Sequence, residues 1–303
     1  MLDPRRLVVL REFAAQGTIA AAAEALAFTP SAVSQQLAQL QREAGVPLFR
    51  KAGRRLELTD AGRTLVARAD ELLTRVEEIE AELAAHAQHV RGTVRVGAFQ
   101  TAAMALVLPA IEQLAHPELQ VEVVEAEAEE SLPMVLRGEL DIAIAEEYDH
   151  APRPRSPQLH REYLEPDQLV LALPREHPAA ERDGPVALAA LRDARWAAPR
   201  APSAFADMVT RLCRSVGGFE PDIRHRAYDL YLLMELVAAR GAVALLPALG
   251  RPERDPRIAV RPIADGEYAR ALFVATRASD HARPSTAAVV TALIAARPDP
   301  ATS

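Results

Sequence analysis

The 303-residue sequence predicts an α/β protein in three parts: a small all-α head closed by a hairpin, one long helix, and a two-lobed α/β body. Three observations carry that prediction. Two helix starts of the same kind, Asp3-Pro4 and Thr29-Pro30, lead into helices that stop at Gly17 and Gly45. An apolar series spaced 4, 3, 4, 3, 4 runs from Leu65 to Leu83 without a proline. From Thr93 onward, short β-branched runs alternate with helical patterns. Length favours two or three domains, and a chain half hydrophobic and a quarter charged can form real cores. The single cysteine, Cys213, excludes an intrachain disulfide and fits a reducing compartment. Charges interrupt the apolar residues of the N-terminus, so it does not read as a signal peptide, and no run could span a membrane. The expectation is a soluble, cytoplasmic protein.

In the head, Leu7, Leu10, Phe13 and Ala14 recur at helical spacing. Thr18 caps a second helix, and the alanines from Ala20 to Ala23 and at Ala25 permit close packing. Ala27-Phe28 makes the turn. In the third helix Val33, Leu37, Leu40 and Ala44 form one stripe. Ser31, Gln35, Ala38 and Arg42 lie roughly opposite, with Ser34 to one side. A polar face so poor in charge is an odd solvated surface, but it suits base edges. Glutamine can bond adenine N6 and N7 together, serine reaches bases or phosphate, and alanine meets a thymine methyl. The helix N-terminus offers free N–H groups to a phosphate.

After Gly45, the segment VPLFRKAGRRLELT pairs Leu48-Phe49 with Leu56-Glu57-Leu58 around a basic turn at Gly53. It reads as a β-wing, with Arg54 near the tip suited to a minor groove. The net charge of −7, taken alone, argues against nucleic-acid binding, yet residues 1–60 carry eight Arg/Lys against six Asp/Glu. Arg42, Arg50, Lys51, Arg54 and Arg55 stand close together with only Glu43 among them, a basic patch on an acidic body.

The string AAAEALAFTPSAVSQQLAQLQREAGVPLFRKAGRRLELTDAG resembles the winged helix-turn-helix of the LysR-type transcriptional regulators. Ala22-Ala23, Leu26, Ser34, Leu40, Gly45, Leu48-Phe49, Arg54, Leu58-Thr59 and Ala61-Gly62 carry the match in register. The resemblance implies double-stranded DNA as a partner, with Pro30, Ser31, Ser34, Gln35 and Arg54 touching it. Gln35 stands where arginine is common in the family. Gln41 stands where glutamate is usual, which suggests the loss of a structural ion pair.

Thr59-Asp60 caps the long helix. Leu65, Ala69, Leu72, Val76, Ile79 and Leu83 form its a/d seam, and Glu71, Glu77, Glu78, Glu80 and Glu82 crowd the other faces. So narrow a stripe suits pairing with a second copy. It resembles the linker helix through which LysR-type regulators dimerise, presenting two heads to two half-sites. His86 and His89, near its end, lack companions for a metal site and read as surface.

In the body, strands are expected at Thr93–Phe99, Val121–Val124 and Leu140–Ile144, with helices at Gln100–Ala115 and Ser131–Gly138, giving a parallel sheet with covering helices. Ligands of such sheets sit beyond the carboxyl ends of the strands, which places Gln100, Thr101 and Glu129 to Ser131 around one crevice. The proline-rich stretch from Ala151 to Pro157 is a connection. A second subdomain follows, with a strand at Leu169–Pro174, helical turns at Val186–Leu191, and Trp196 on a short strand. Helices at Ala204–Val216 and from Tyr228-Asp229 to Arg240 come next, then a buried strand at Val243–Pro247. The last strand and helix return to the first subdomain. LRGELDIAI, LALPREHPAA and VAARGAVALLP extend the resemblance to the family's effector-binding domain, whose two-lobed fold is shared with periplasmic binding proteins.

That resemblance implies a small-molecule effector between the lobes, no cofactor, and contacts from Thr101, Ser131, Ser203 and Tyr228, beside Gln100. Arg200 is the expected partner for a carboxylate. The implied organisation is a DNA-binding head over residues 1–58, a linker over 59–90 and an effector domain over 91–303. Lobe I is expected at about 91–163 and 264–303, and lobe II at about 164–263. The implied assembly is a homodimer or tetramer, with RNA polymerase as a further partner. Catalysis fits poorly: GxSxG, HExxH, GxGxxG and Walker A patterns are all absent, and Cys213 falls in an apolar helix. The competing reading is a solute-binding protein of the two-lobed fold without a transcriptional role.

Overall fold

The computed structural model describes residues 1–52, 55–87, 90–181 and 183–296. The chain divides into two compact units, Met1–Ala87 and Gln88–Ser303.

The first unit opens with α1 (Pro4–Gln16), α2 (Ile19–Ala25) and α3 (Pro30–Ala44). Each start is capped by the side chain expected from the sequence. Asp3 accepts from Arg5 N–H, Thr18 from Ala21 N–H and Thr29 from Ala32 N–H. Gly17 and Gly45 adopt the left-handed conformation that ends α1 and α3. Leu7, Leu10, Phe13, Ala22, Val33, Leu37 and Leu40 form one core. The wing pairs β1 (Phe49–Ala52) with β2 (Arg55–Leu58), Phe49 opposite Leu58.

The 28-residue helix α4 (Asp60–Ala87) follows. Its first turn is fixed by Thr59, whose hydroxyl donates to Pro47 O at 2.7 Å and accepts from Gly62 N–H at 3.0 Å. Gly62 is needed for contact rather than for φ: a Cβ there would lie 2.3 Å from the carbonyl oxygen of Leu48. Ala69 and Leu73 are buried and Leu65 half-buried, all three within the head's own core. This corrects part of the expected seam. Leu65 and Ala69 belong to the head because α4 packs on α1. The remaining members stay open: Leu72 is 47% exposed, Val76 40%, Ile79 46% and Leu83 64%.

The second unit is built on one eight-stranded sheet. Strand β3 (Gly92–Ala98) lies parallel to β4 (Leu119–Glu125) and β5 (Ile142–Glu147). Between β3 and β4 the chain is helical through α5 (Gln100–Ala102), a π-helical turn (Ala103–Val107) and α6 (Leu108–Gln113). Pro109, with no N–H to give back along the helix, accounts for the widened turn. Helix α7 (Ala128–Arg137) covers β5. β6 (Leu159–Tyr163) was not expected from the sequence. It pairs only with β12 (Ala269–Arg277) among the described residues, and its exposed edge position demands no apolar alternation.

β7 (Asp167–Pro174) and β12 are the two strands that cross between the lobes. β12 pairs with β5 and β6 along most of its length and with β7 at Ala269 and Arg270. The far lobe adds β8 (Arg195–Ala198), α8 (Ala204–Ser215), β9 (Asp222–Arg226), α9 (Leu230–Arg240), β10 (Ala244–Pro247) and β11 (Ile258–Arg261). The stretch expected to be helical at Val186–Leu191 forms only a single 3-10 turn, Leu188–Leu191. The last helix, α10 (Pro284–Ala295), packs on α6 and β3 in the near lobe. Leu171, Leu173, Trp196, Val209 and Leu245 centre one core; Val96, Ile142, Ile144, Val274 and Leu293 centre another.

Gly62→Ala should lower the stability of the first unit by about 1–3 kcal/mol, the cost of forcing a methyl into a packed contact. Chemical denaturation followed by circular dichroism of the full chain would read it; an unchanged midpoint would mean that the backbone at Leu48 yields freely.

Candidate functional site

Two features stand out, one in each unit. On α3, Val33, Leu37 and Leu40 are buried, while Pro30, Ser31, Ser34, Gln35, Ala38 and Arg42 are exposed. The fold is therefore held by one face, and the other is free to meet a partner. Ser31 Oγ lies 3.0 Å from Thr29 Oγ1, and Arg42 donates to Gln39 Oε1 at 2.6 Å, leaving Gln35 without an internal partner among the described residues. Gln41 has a distinct task. Its Oε1 accepts from Leu48 N–H at 2.9 Å and Phe49 N–H at 3.2 Å, tying the start of the wing to α3. The Gln41 carboxamide thus holds the wing through hydrogen bonds to backbone N–H groups rather than through an ion pair. Arg50 and Glu57 bridge the wing at 3.0 Å. Arg54 and His89 lie outside the described residues.

In the second unit a cleft of about 460 Å³ opens between the two lobes. α5 and the end of β3 supply Phe99, Gln100 and Thr101; the far lobe supplies Ser203, Phe205 and Tyr228. Thr101 is buried, and its hydroxyl accepts from Arg270 Nη2 at 2.7 Å. Arg270 is buried as well. Its Nε donates to Asp167 Oδ2 at 2.9 Å, and its guanidinium covers the Phe99 ring at 4.5 Å. Gln100 joins the lobes. Its Nε2 donates to Asp229 Oδ2 at 2.6 Å, and its Oε1 accepts from Leu230 N–H at 2.9 Å. Ser203 caps α8 by accepting from Ala206 N–H at 3.1 Å. Tyr228 is 55% exposed and stacks under Arg200 at 5.3 Å.

The model of the bacterial regulatory helix-turn-helix protein, lysR family, matches residues 4–63, and that of the LysR substrate binding domain matches residues 87–297. The chain belongs to the LysR family. It is a DNA-binding transcription regulator with an effector-binding domain. It is 28% identical to a probable cat1 operon transcriptional activator of Acinetobacter lwoffii, over 93% of this chain and 92% of that protein. With the small neutral protease regulatory protein of Streptomyces lividans it shares 30% identity over 91% of this chain and 79% of the relative. The structure of a full-length OxyR variant from Pseudomonas aeruginosa superposes with a TM-score of 0.73 at 22% identity, covering 97% of this chain and 95% of that one. The two sequence relatives are named as a transcriptional activator and a regulatory protein rather than solute-binding proteins, so the competing reading falls.

Within this LysR-type regulator, Gln100, Thr101, Ser203 and Tyr228 do line one cleft, as expected from the sequence. Ser131 does not. α7 begins at Ala128, earlier than the sequence pattern suggested. Ala128, Ser131, Leu132 and Val135 therefore share the inward stripe, and Ser131 is fully buried. Gly97 accommodates it: a Cβ there would lie 3.2 Å from that of Ser131 and 2.4 Å from Leu140 Cδ1. Arg200, expected to meet a carboxylate, is exposed and outside the cleft wall. Arg270 is the basic residue that sequence reasoning missed. An arginine inside the apolar run Ala269–Arg277 was the available signal.

Cys213 is fully buried, and burial pushes its thiol up to about 12, so it offers no thiolate near neutral pH. Among the described residues no group of three His, Cys, Asp or Glu side chains could hold a metal ion, and no helix is long and apolar enough to cross a membrane.

Glu127, exposed on the cleft wall, has its carboxyl pushed up to about 7 by desolvation and then by Glu146; Glu129 and Glu125 add to the rise and Arg270 opposes it. The fold thus holds a proton that the unfolded chain releases near the ordinary value of 4.5, and stability falls as pH rises from about 4.5 to about 7. Thermal denaturation across that window should show the decline, with Glu127→Gln flattening it. An equally steep decline in the variant would rule Glu127 out as the source.

Proposed function

We propose that this regulator reads DNA through the exposed face of α3 and is controlled by a small molecule held in the cleft between its lobes. Pro30, Ser31, Ser34 and Gln35 enter the major groove, with Gln35 the principal base reader, while Arg54 of the wing enters the flanking minor groove. The single observation that carries this reading is the split of α3 into a buried apolar face and an exposed, nearly uncharged polar one. A face that owes nothing to the fold and carries little charge gains most from directional hydrogen bonds.

Two copies pair through the open stripe of α4 at Leu72, Val76, Ile79 and Leu83, so that two heads address two half-sites. The cleft takes the effector, contacted by Thr101, Gln100, Ser203 and Tyr228. An effector that prefers one arrangement of the lobes shifts DNA affinity by thermodynamic linkage, and DNA shifts effector affinity by the same factor. The chain works in the cytoplasm and carries out no reaction of its own; Cys213 in its buried, undissociated state supports that reading.

Gel-shift titration against the protein's own upstream region tests the scheme. Gln35→Ala should relax preference at one base position, at a cost of about 1–3 kcal/mol there. Arg54→Ala should weaken binding evenly across sequences and make the salt dependence shallower. If both variants lose only non-specific affinity, the assignment of base readout is wrong.

Assembly has its own test. The double variant Leu72→Glu with Ile79→Glu should sediment as a folded monomer, and a persisting dimer would place the contact elsewhere.

A further inference from the structure

We propose that the cleft takes an organic cation, a primary amine or guanidinium carried on a compact apolar body. This rests on the reading of the cleft as the effector site and adds the chemical class of the effector.

Charge is the first observation. Glu125, Glu127, Glu129, Glu130 and Glu146 line the cavity, and Arg270 is the one basic side chain in its wall among the described residues. That arginine is already committed. It forms a buried ion pair with Asp167 at 2.8 Å and donates to Thr101, so its charge is met from below. Arg153, behind the acidic wall, reaches Glu129 Oε1 at 3.1 Å and Glu146 Oε1 at 3.4 Å. Glu125, Glu127 and Glu130 form no ion pair among the described residues. A carboxylate ligand would add a further negative charge to this wall, whereas a cation would relieve the repulsion among its members.

An unmet carboxylate oxygen in a residue of the cavity wall is the second observation. The Glu146 side chain is 9% exposed, and its Oε2 is buried without a hydrogen-bond partner. Tyr148 is 2% exposed, and its phenolic oxygen lies against the Arg270 guanidinium. Both residues line the cleft. A buried carboxylate oxygen left unmet is costly, and one N–H donor from a ligand removes that cost. An ammonium or guanidinium brings several donors at once and no acceptor, which is what a carboxylate oxygen requires.

The rest of the wall sets the ligand's body. Tyr148 and Phe205 stack with ring centroids 6.1 Å apart and planes 14° from parallel, and Leu230, Leu233 and Pro247 add apolar surface. Aromatic faces attract a cation and tolerate an apolar stem. The cavity volume is that of a small-molecule site rather than of a bare inorganic ion.

Isothermal titration calorimetry of the full chain at pH 8 and low salt tests the proposal, with phenethylamine and agmatine as cations and phenylacetate and adipate as matched anions. At least one amine should bind, with neither acid binding as tightly. Glu146→Gln and the more exposed Glu127→Gln should each weaken it by about tenfold, circular dichroism showing both variants folded. Binding of an acid in preference to the amines, absence of any amine binding, or unchanged amine affinity in both folded variants would overturn the cation assignment. Ala204→Trp, which fills the cleft, separates this from failure of the underlying reading. If an acid binds and the tryptophan blocks it, the cleft remains the effector site and only the class is wrong. If a ligand binds and the tryptophan leaves it untouched, the site itself is elsewhere and both readings fall.

Discussion

The buried pair of Arg270 and Asp167 is the constraint on which the second unit depends. The two residues face each other across β12 and β7, the strands that cross between the lobes. Asp167 also accepts from Leu249 N–H at 2.8 Å, and Arg270 donates to Thr101 at the start of α5. One ion pair therefore ties together both crossing strands, the helix after the first strand and the turn after β10. Burying two charges is expensive, and removal of either partner strands the other, a loss typically of about 3–5 kcal/mol. Such a pair is a poor source of net stability.

Around that fixed point the cleft walls differ in burial. Thr101 is locked onto Arg270, whereas Gln100, the next residue back, reaches over to the first turn of α9. Tyr231 Oη stands 3.6 Å from Met104 Sδ in the same region. These contacts between the lobes are polar and lie near the surface, whereas the Arg270 pair is buried.

The elements that were legible in the sequence are those whose ends are written locally. Asp3-Pro4, Thr18, Thr29-Pro30, Gly17 and Gly45 each act through a cap or a left-handed turn within a few residues, and all five stand where their chemistry placed them. The same holds for Gln100 and Thr101, which follow directly from the end of β3. Ser131 was misplaced because a short amphipathic helix can start a turn earlier without breaking its period, and one turn decides which residue faces the sheet. Leu65 and Ala69 share the heptad spacing of Leu72 and Val76, yet a spacing does not say whether the partner is α1 or another chain. Arg270 was hidden for a different reason. Its meaning lies in Asp167, some hundred positions earlier, and only the pairing of β7 with β12 brings them together.

The division of labour on α3 has a consequence for how such a protein can diverge. Val33, Leu37 and Leu40 hold the head together, and Gln41 secures the wing through backbone N–H groups, which any sequence at Leu48 and Phe49 would also offer. Ser31, Ser34 and Gln35 contribute almost nothing to that framework. On the proposed reading of α3, a duplicated copy of the gene could change its operator by substitution at these three positions while folding as before. Selection for a new address and selection for a stable head would then act on separate residues.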